Sequence, residues 1–201
     1  MTPNCNGGTI NFGLSSKRIN KFVDFSEKFT YASGEKRGMG EFVMKTADLC
    51  DQYGETVQVC TVPFYSYGGK RAFFGPIATV DVFEDNVLVR EALESVAEGT
   101  VLVVDGKGSR QCALLGDRLA QIACDRKLAG VIVYGCIRDS KEISQMPLGV
   151  LAIGTCPRKS KKEGKGLRNV TVQFGDVEWK PGSYVYVDED GVIVSDIALH
   201  T

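Results

Sequence analysis

Three short runs of apolar residues place the tightest constraint on the fold of this chain. They are TVLVVDG from Thr100, AGVIVYG from Ala129 and GVLAIG from Gly149. Runs of this length and composition predict strands that are buried on both faces. Helical patterns precede and separate them, and this alternation predicts an α/β layered domain.

The helical patterns are MKTADLCDQYG, NVLVREALESVAEG, CALLGDRLAQIACDRK and the short RDSKEISQM. In the third pattern, Leu115, Leu119, Ile122 and Ala123 share one apolar stripe. Before the second pattern, the segment TVDVF predicts a strand that follows a turn at Gly75-Pro76.

The last third of the chain has β character. VTVQFG, YVYVD and GVIV predict short strands, and Asp190-Gly191 between the last two is a hairpin signal. Helix–strand alternation followed by a β-rich end predicts mixed sheets, in two packed layers.

Composition excludes several classes of function. The formal net charge is −1 and no apolar run is long enough to span a bilayer, so neither a nucleic acid nor a membrane is expected as a partner on these grounds. Seven scattered cysteines without a C-x-x-C motif indicate a reduced, cytoplasmic chain. The one histidine is His200, which argues against Ser-His or Cys-His catalysis and against a His-rich zinc site.

Residues 1–42 differ in character from the main domain at 43–201. The first 23 residues contain no acidic side chain, so a mitochondrial transit segment is an alternative to a plain N-terminal extension. Acidic residues soon follow and no Arg-rich amphipathic helix is visible, which favours the plain extension.

The pattern with the most chemical content is Asp117 followed, after twenty residues, by Arg138-Asp139. A helix and a strand fit between them, so the three side chains can meet at one end of a sheet. Carboxylates hold a divalent cation and its waters, and an arginine fork holds the carboxylate of a ligand. Together they predict a site for a small oxo-acid.

Structural explanations compete with this one. Asp117 near a helix N-terminus can be purely electrostatic stabilisation, and Asp139 with Glu142 matches a capping box. Gly116 costs stability inside a helix, so either the helix begins later or something approaches its backbone closely. The turn Gly106-x-Gly108 is a weak match to a dinucleotide-binding loop.

The stretch CPRKSKKEGKGLRN contains a run of basic residues. It can contact phosphate or RNA. It lacks interleaved aromatic residues and contains glycines, so a mobile, solvated loop is the favoured interpretation.

The run LLGDRLAQIACDRKLAGVIVYGCIRD resembles the family of the regulator of ribonuclease activity A and the related 4-hydroxy-4-methyl-2-oxoglutarate aldolases. FEDNVLVREAL, GTVLVVDGKGS, GTCPR and WKPGSYVYVDEDGVIV extend the resemblance to about residues 43–196. It implies a swivelling β/β/α domain, an αββα sandwich with mixed sheets, assembled as a homotrimer or hexamer.

The resemblance also implies roles for the site residues. Asp139 would be the ligand of a divalent metal, Mg²⁺ or Mn²⁺, and Arg138 would bind a 2-oxo-acid. The backbone of residues 116–119 (Gly116, Asp117, Arg118, Leu119) would face the substrate, and Asp117 would hold a metal-bound water. A carboxylate from a neighbouring subunit, which this sequence does not identify, would complete the network.

Two functions follow as hypotheses. The first is a metal-dependent lyase that cleaves 2-oxo-acids to pyruvate, of the 4-hydroxy-4-methyl-2-oxoglutarate aldolase or oxaloacetate decarboxylase type. The alternative is a non-catalytic regulator that binds a ribonuclease or RNA helicase. The methyltransferase activity once suggested for this family gains no support, because the glycine pattern of a nucleotide site is absent.

Overall fold

The computed structural model describes residues 45–199. The predicted N-terminal extension, its transit alternative and His200 lie outside these residues.

The helices are α1 (Thr46–Tyr53), α2 (Val87–Ser95), α3 (Asp117–Asp125) and α4 (Ser140–Ile143), with a 3-10 turn at Gly54–Thr56. The strands are β1 (Gln58–Val59), β2 (Tyr65–Ser66), β3 (Phe73–Asp81), β4 (Val101–Asp105), β5 (Ala113–Leu115), β6 (Gly130–Ile137), β7 (Gly149–Thr155), β8 (Leu167–Arg168), β9 (Val172–Phe174), β10 (Val177–Trp179), β11 (Tyr184–Val187) and β12 (Val192–Ser195).

The main sheet is mixed, with the order β1-β12-β11-β3-β4-β6-β7-β2. Strands β3, β4, β6 and β7 are parallel, and β5 adds a short parallel pair to β6. Strand β3 also pairs antiparallel with β11, so it connects the parallel strands to the β11–β12 hairpin. The three apolar runs form β4, β6 and β7, and the predicted hairpin turn joins β11 to β12.

Successive side chains of the parallel strands point to opposite faces of the sheet, and each face has its own hydrophobic core. On one face, Val80, Leu102 and Val131 pack with the buried sides of α2 and α3. On the other face, Val103 and Ile132 belong to a second core. That core also takes in the buried residues Val172, Phe174, Val177, Trp179, Val185 and Val194 from the C-terminal strands.

The far side of the β11–β12 hairpin carries a third cluster. There Leu49 of α1 packs with Tyr186 and Ile193. The order helix, sheet, sheet, helix confirms the αββα sandwich with mixed sheets.

Two predicted elements differ from the structure. Strand β3 runs unbroken through Gly75-Pro76, where a turn was predicted, because these residues pair with β11. The predicted long helix from Cys112 is divided: Ala113–Leu115 forms β5 beside β6, and α3 begins only at Asp117. Leu115 is therefore a strand residue, and tertiary pairing overrides its helical spacing.

The basic stretch has solvated side chains, as predicted, but its backbone is fastened to the domain. The buried carboxylate of Asp85 accepts hydrogen bonds from the N–H groups of Val87, Glu163 and Gly164. Burial raises the pKa of Asp85, but the hydrogen bonds from these and the Lys165 N–H outweigh it, and the pKa lies below its ordinary value.

No helix among residues 45–199 has both the length and the apolar character needed to cross a bilayer. The six cysteines of this part of the chain, at 50, 60, 112, 124, 136 and 156, are all free thiols.

We expect Asp85→Asn to lower the free energy of unfolding by about 2–3 kcal/mol at neutral pH, because an amide presents a donor where two N–H groups need an acceptor. The pKa of Asp85 is depressed in the folded state, so its contribution is present above the unfolded value of about 3.9 and is lost as the pH falls through the folded pKa. Urea unfolding of both proteins at about pH 7 and about pH 3 should therefore give a smaller difference at the lower pH.

The exposed Asp125→Asn is the matched control and should change the unfolding free energy by less than about 0.5 kcal/mol. Equal effects of the two substitutions would show that Asp85 does not fasten the loop.

Candidate active site

The candidate site lies where β5 and β6 end side by side. The two strands are parallel, with Leu115 opposite Ile137, and the Arg138 N–H donates to the Leu115 carbonyl at 3.0 Å. Gly116-Asp117 and Arg138-Asp139 therefore leave the sheet at the same edge. The structure thus brings Arg138 and Asp139 to the start of α3, where the Asp139 carboxylate meets the Asp117 N–H, although twenty residues separate Asp117 from Arg138 in the sequence.

Asp139 does not cap the helix that it precedes. Its backbone is left-handed (φ 57°, ψ 39°), a conformation that aspartate tolerates better than most residues, and its side chain makes no capping hydrogen bond to α4. Instead its Oδ2 accepts from the Asp117 N–H at 3.3 Å and lies 3.3 Å from Nε of Arg138. The capping-box explanation with Glu142 is therefore wrong, and Asp139 faces the start of α3.

Gly116 is required by this arrangement. Its backbone is extended (φ −138°, ψ −179°), so no unusual conformation demands glycine. A Cβ at this position, however, would lie 2.8 Å from Oδ2 of Asp139 and 3.2 Å from Nε of Arg138. Both explanations offered for Gly116 hold: α3 begins later than predicted, and two site side chains approach its backbone closely.

The backbone N–H groups in the first turn of α3 already have hydrogen-bond acceptors within the protein. Oδ1 of Asp117 accepts from the Arg118 N–H at 2.7 Å, and the Leu119 N–H donates to the Gly116 carbonyl at 3.1 Å. The Asp117 N–H is held by Asp139. A ligand that binds this backbone must therefore exchange these bonds for its own. Local stabilisation of the helix by Asp117 is compatible with a second role.

Two clefts meet at Arg138, which lines both. The larger, of about 460 Å³, runs between α2, α3 and the basic stretch, and Asp117 lines it. The smaller, of about 250 Å³, is lined by Asp139, Thr155 and Cys156. Arg138 is therefore shared by the two clefts, and each cleft has one of the two carboxylates in its wall.

Among the residues of the larger cleft that sequence reasoning missed are three from the basic stretch. Lys159, Ser160 and Lys162 belong to the basic stretch, and the structure places all three in the cleft wall. The only available signal was the basic character of the segment, because the bond that positions it comes from Asp85, 78 residues before Glu163.

The weak nucleotide-loop match has a different explanation. Gly106-x-Gly108 leads into β5 and not into a helix. A Cβ on Gly106 would meet Leu114 and the Tyr134 carbonyl, and Lys107 forms ion pairs with Asp81 and Asp105. The tight glycines therefore serve packing within the protein.

The carboxylates suit a hard divalent cation. Among residues 45–199 there is no group of three or more His, Cys, Asp or Glu side chains able to enclose a metal. Mg²⁺ is commonly held by one or two carboxylates and otherwise by water and ligand oxygens, so Asp139 with Asp117 nearby fits such an ion and does not fit a zinc site.

Comparison with known proteins gives consistent matches. The model of the RraA-like family, described as Aldolase/RraA, matches residues 46–194. A protein of Bacillus anthracis named "Putative 4-hydroxy-4-methyl-2-oxoglutarate aldolase" is 61% identical over 156 residues, which cover 78% of this chain and 98% of that protein. A protein of Aromatoleum aromaticum with the same name is 55% identical and is covered to 98%, against 77% of this chain.

Solved structures also match. A Geobacillus kaustophilus protein described as S-adenosylmethionine: 2-dimethylmenaquinone methyltransferase has a TM-score of 0.77 and 74% identity, with 78% of this chain and 97% of that chain covered. The "RNA-processing inhibitor RraA from Thermus thermophilis" has a TM-score of 0.76 and 43% identity, with 78% and 95% covered.

We expect Gly116→Ala to displace Asp139 without unfolding the protein. The atom that the new methyl group meets most closely is Oδ2 of Asp139, the end of a half-buried side chain that can move, so the free energy of unfolding should change by less than about 1 kcal/mol. The amide NMR signal of Asp117 should shift strongly, because its N–H loses Oδ2 of Asp139.

Gly191→Ala is the control, since a Cβ there meets nothing within 4 Å and the residue has no positive φ. An unmoved Asp117 signal in Gly116→Ala would contradict the close approach.

Proposed function

Since this chain belongs to the RraA-like family, we propose that it is a divalent-metal-dependent lyase that cleaves 2-oxo-acids to pyruvate. The observation that carries the proposal is the meeting of Asp117, Arg138 and Asp139 at one sheet edge. The substrates proposed are 4-hydroxy-4-methyl-2-oxoglutarate and oxaloacetate. The first is supported by the names of the curated relatives.

Arg138 would hold the 2-oxo-acid. Its Nε is engaged by Asp139, while its two terminal nitrogens make no hydrogen bond within residues 45–199. These nitrogens carry the donors that match a carboxylate, and Arg138 lines both clefts. The guanidinium would also stabilise the negative charge that grows on the oxo group during cleavage.

Asp139 would hold Mg²⁺ or Mn²⁺, with Asp117 positioning a water beside it. When bound, the metal supplies Lewis acidity toward the oxo and carboxylate oxygens of the substrate. Asp117 and Asp139 are both half-buried, which suits an ion that keeps much of its water.

Cleavage of a 4-hydroxy-2-oxo-acid requires one base. Removal of the proton from the 4-hydroxyl forms the new carbonyl, the C3–C4 bond breaks, and its electron pair moves into the enolate of pyruvate, which is then protonated at C3. Asp117, or a water that it orients, is the base proposed for the hydroxyl. Oxaloacetate loses CO₂ to give the same enolate and needs no such base.

The proposal includes a homotrimer or hexamer in a cytoplasmic setting. Because residues 45–199 contain no three-ligand group, a carboxylate from a neighbouring subunit is a natural completion of the site. The free thiols of the described part agree with a reducing compartment.

Purified protein should release pyruvate from both substrates in the presence of Mg²⁺ or Mn²⁺, and EDTA should abolish it. We expect Asp139→Ala to reduce kcat/KM at least about 100-fold, because it removes the proposed metal ligand. Asp125→Ala, on the exposed end of α3, should retain activity. Turnover that is absent with either metal, or that survives unchanged in Asp139→Ala, would refute the lyase.

A second candidate is a regulator that binds a ribonuclease or RNA helicase. It is favoured by the 43% identity to the Thermus protein described as an RNA-processing inhibitor, and by the exposed lysines at 161 and 162. Such a regulator would use charge complementarity on this surface, with no need for Asp139.

In a pull-down with purified ribonuclease E, we expect Lys161→Glu combined with Lys162→Glu to weaken capture at least about tenfold if this surface binds the enzyme. Asp139→Ala should leave capture unchanged. Equal capture of the wild-type protein and the charge-reversed variant, or no capture of the wild-type protein, argues against this function.

A further inference from the structure

A further cavity, of about 460 Å³, lies between the segment that joins β1 to β2 and the β11–β12 turn, and we call it the side cavity. Strand β1 pairs with β12 and strand β2 pairs with β7, so the segment 60–64 crosses from one half of the sheet to the other. Among residues 45–199, none lines both the side cavity and the clefts at Arg138. The side cavity is therefore a separate space.

Much of the lining of the side cavity is apolar. Leu151 of β7 and Val192 of β12 belong to the core between the two sheets, and both line the cavity. Val62 and Phe64 of the connecting segment also line it and pack against the same core. An apolar group of a ligand would be removed from water here, which is a main source of affinity in small-molecule sites.

One polar atom of the lining lacks a partner. The hydroxyl of Ser66 is the only buried side-chain nitrogen or oxygen within residues 45–199 that makes no hydrogen bond. Ser66 pairs with Leu151 across β2 and β7, and paired residues point to the same face of a sheet, so its side chain lies on the face that carries the apolar lining. A buried hydroxyl without a partner is costly, and an acceptor atom of a ligand would supply the missing bond.

Arg71 brings a positive charge next to this serine. Its Nη1 donates to the Ser66 carbonyl at 3.1 Å, and the side chain lines the side cavity. Its other donors make no hydrogen bond or ion pair to any residue of the described part. Guanidinium N–H groups and a hydroxyl are donors suited to a carboxylate.

The β11–β12 turn adds negative charge to the same cavity. Asp188 is already engaged, because its oxygens accept from the Thr46 N–H and hydroxyl, each at 2.6 Å, and from two N–H groups of the turn. Glu189 and Asp190 also line the cavity, are exposed, and form no ion pair within residues 45–199. These two carboxylates are free to attract an ammonium group.

The connecting segment is held in place before any ligand arrives. The Cys60 N–H donates to the Val192 carbonyl and the Thr61 N–H to the Gly175 carbonyl, both at 2.9 Å. The Thr61 hydroxyl donates to the Asp176 carboxylate at 2.7 Å. A wall that is already ordered reduces the entropy that binding must overcome.

We propose that the side cavity binds a free α-amino acid with an apolar side chain. Arg71 and the Ser66 hydroxyl take its carboxylate. Glu189 and Asp190 take its ammonium group, and its side chain lies against the apolar lining. This inference goes beyond the proposed function, since it assigns a second site that uses none of the groups of the candidate active site.

Calorimetric titration of the full chain with three molecules of similar shape tests the proposal. L-leucine carries both charged groups, 4-methylpentanoate lacks the ammonium group, and 3-methylbutan-1-amine lacks the carboxylate. We expect leucine to bind with a Kd below about 1 mM. Each analogue should bind at least about tenfold more weakly, because it loses one set of charge-assisted hydrogen bonds. Glycine should be weaker by a similar factor, since it has no apolar side chain to bury.

Arg71→Gln should weaken leucine binding at least about tenfold. Arg126→Gln is the matched control, because Arg126 is also exposed and donates to a backbone carbonyl, that of Val96 at 3.0 Å. It should change the affinity by less than about twofold, as expected of a distant exposed charge. Ser66→Ala should weaken leucine binding without lowering the urea midpoint of unfolding, because the hydroxyl that it removes has no bond in the fold.

Glu189→Gln combined with Asp190→Asn should abolish the preference for leucine over 4-methylpentanoate, and Asn-Gly is itself a favoured hairpin turn. Failure of leucine to bind the wild-type protein, equal wild-type affinities for leucine and 4-methylpentanoate, or equal losses in Arg71→Gln and Arg126→Gln would overturn the site. Pyruvate release is measured separately and would stand or fall without reference to these results.

Discussion

Strand β3 joins the two halves of the sheet, and the rest of the structure depends on that connection. Its residues 73–76 pair antiparallel with β11, and its residues 77–81 pair parallel with β4. Because side chains alternate along a strand, Ile77 faces the core between the sheets and Val80 faces the helices. Strand β4 pairs in turn with β6, and Arg138 and Asp139 directly follow the end of β6.

The sequence predicted those elements whose signal lies within a continuous segment of the chain. The apolar runs of β4, β6 and β7 and the Asp190-Gly191 hairpin are continuous in sequence, and each signal lies within its own element. Strand β5 was missed because Leu115 has helical spacing to Leu119, while its real partner is β6. The turn expected at Gly75-Pro76 is replaced by strand because β3 passes there from one neighbour to the other.

In the site, too, the sequence predicts some features, and others depend on contacts between distant residues. The spacing of Asp117 and Arg138-Asp139 fixes which residues meet, because one helix and one strand lie between them. The direction of the Asp139 carboxylate was not readable, since its sequence context matches a helix cap. Only contact with Gly116 and Arg138 turns it toward α3. The place of Lys162 was equally hidden, because it depends on Asp85, a residue distant in sequence.

The hydrogen bonds to Asp85 separate the stability of the loop from the charge of the cleft wall, two properties that often conflict during evolution. The bonds that fasten the loop involve its backbone, whereas the side chains of Lys159 and Lys162 are exposed in the wall of the cleft. Substitutions of these two side chains can change the charge of the cleft wall at little cost in folding. Descendants of such a chain can therefore vary this wall while inheriting the same scaffold and the same Arg138-Asp139 edge.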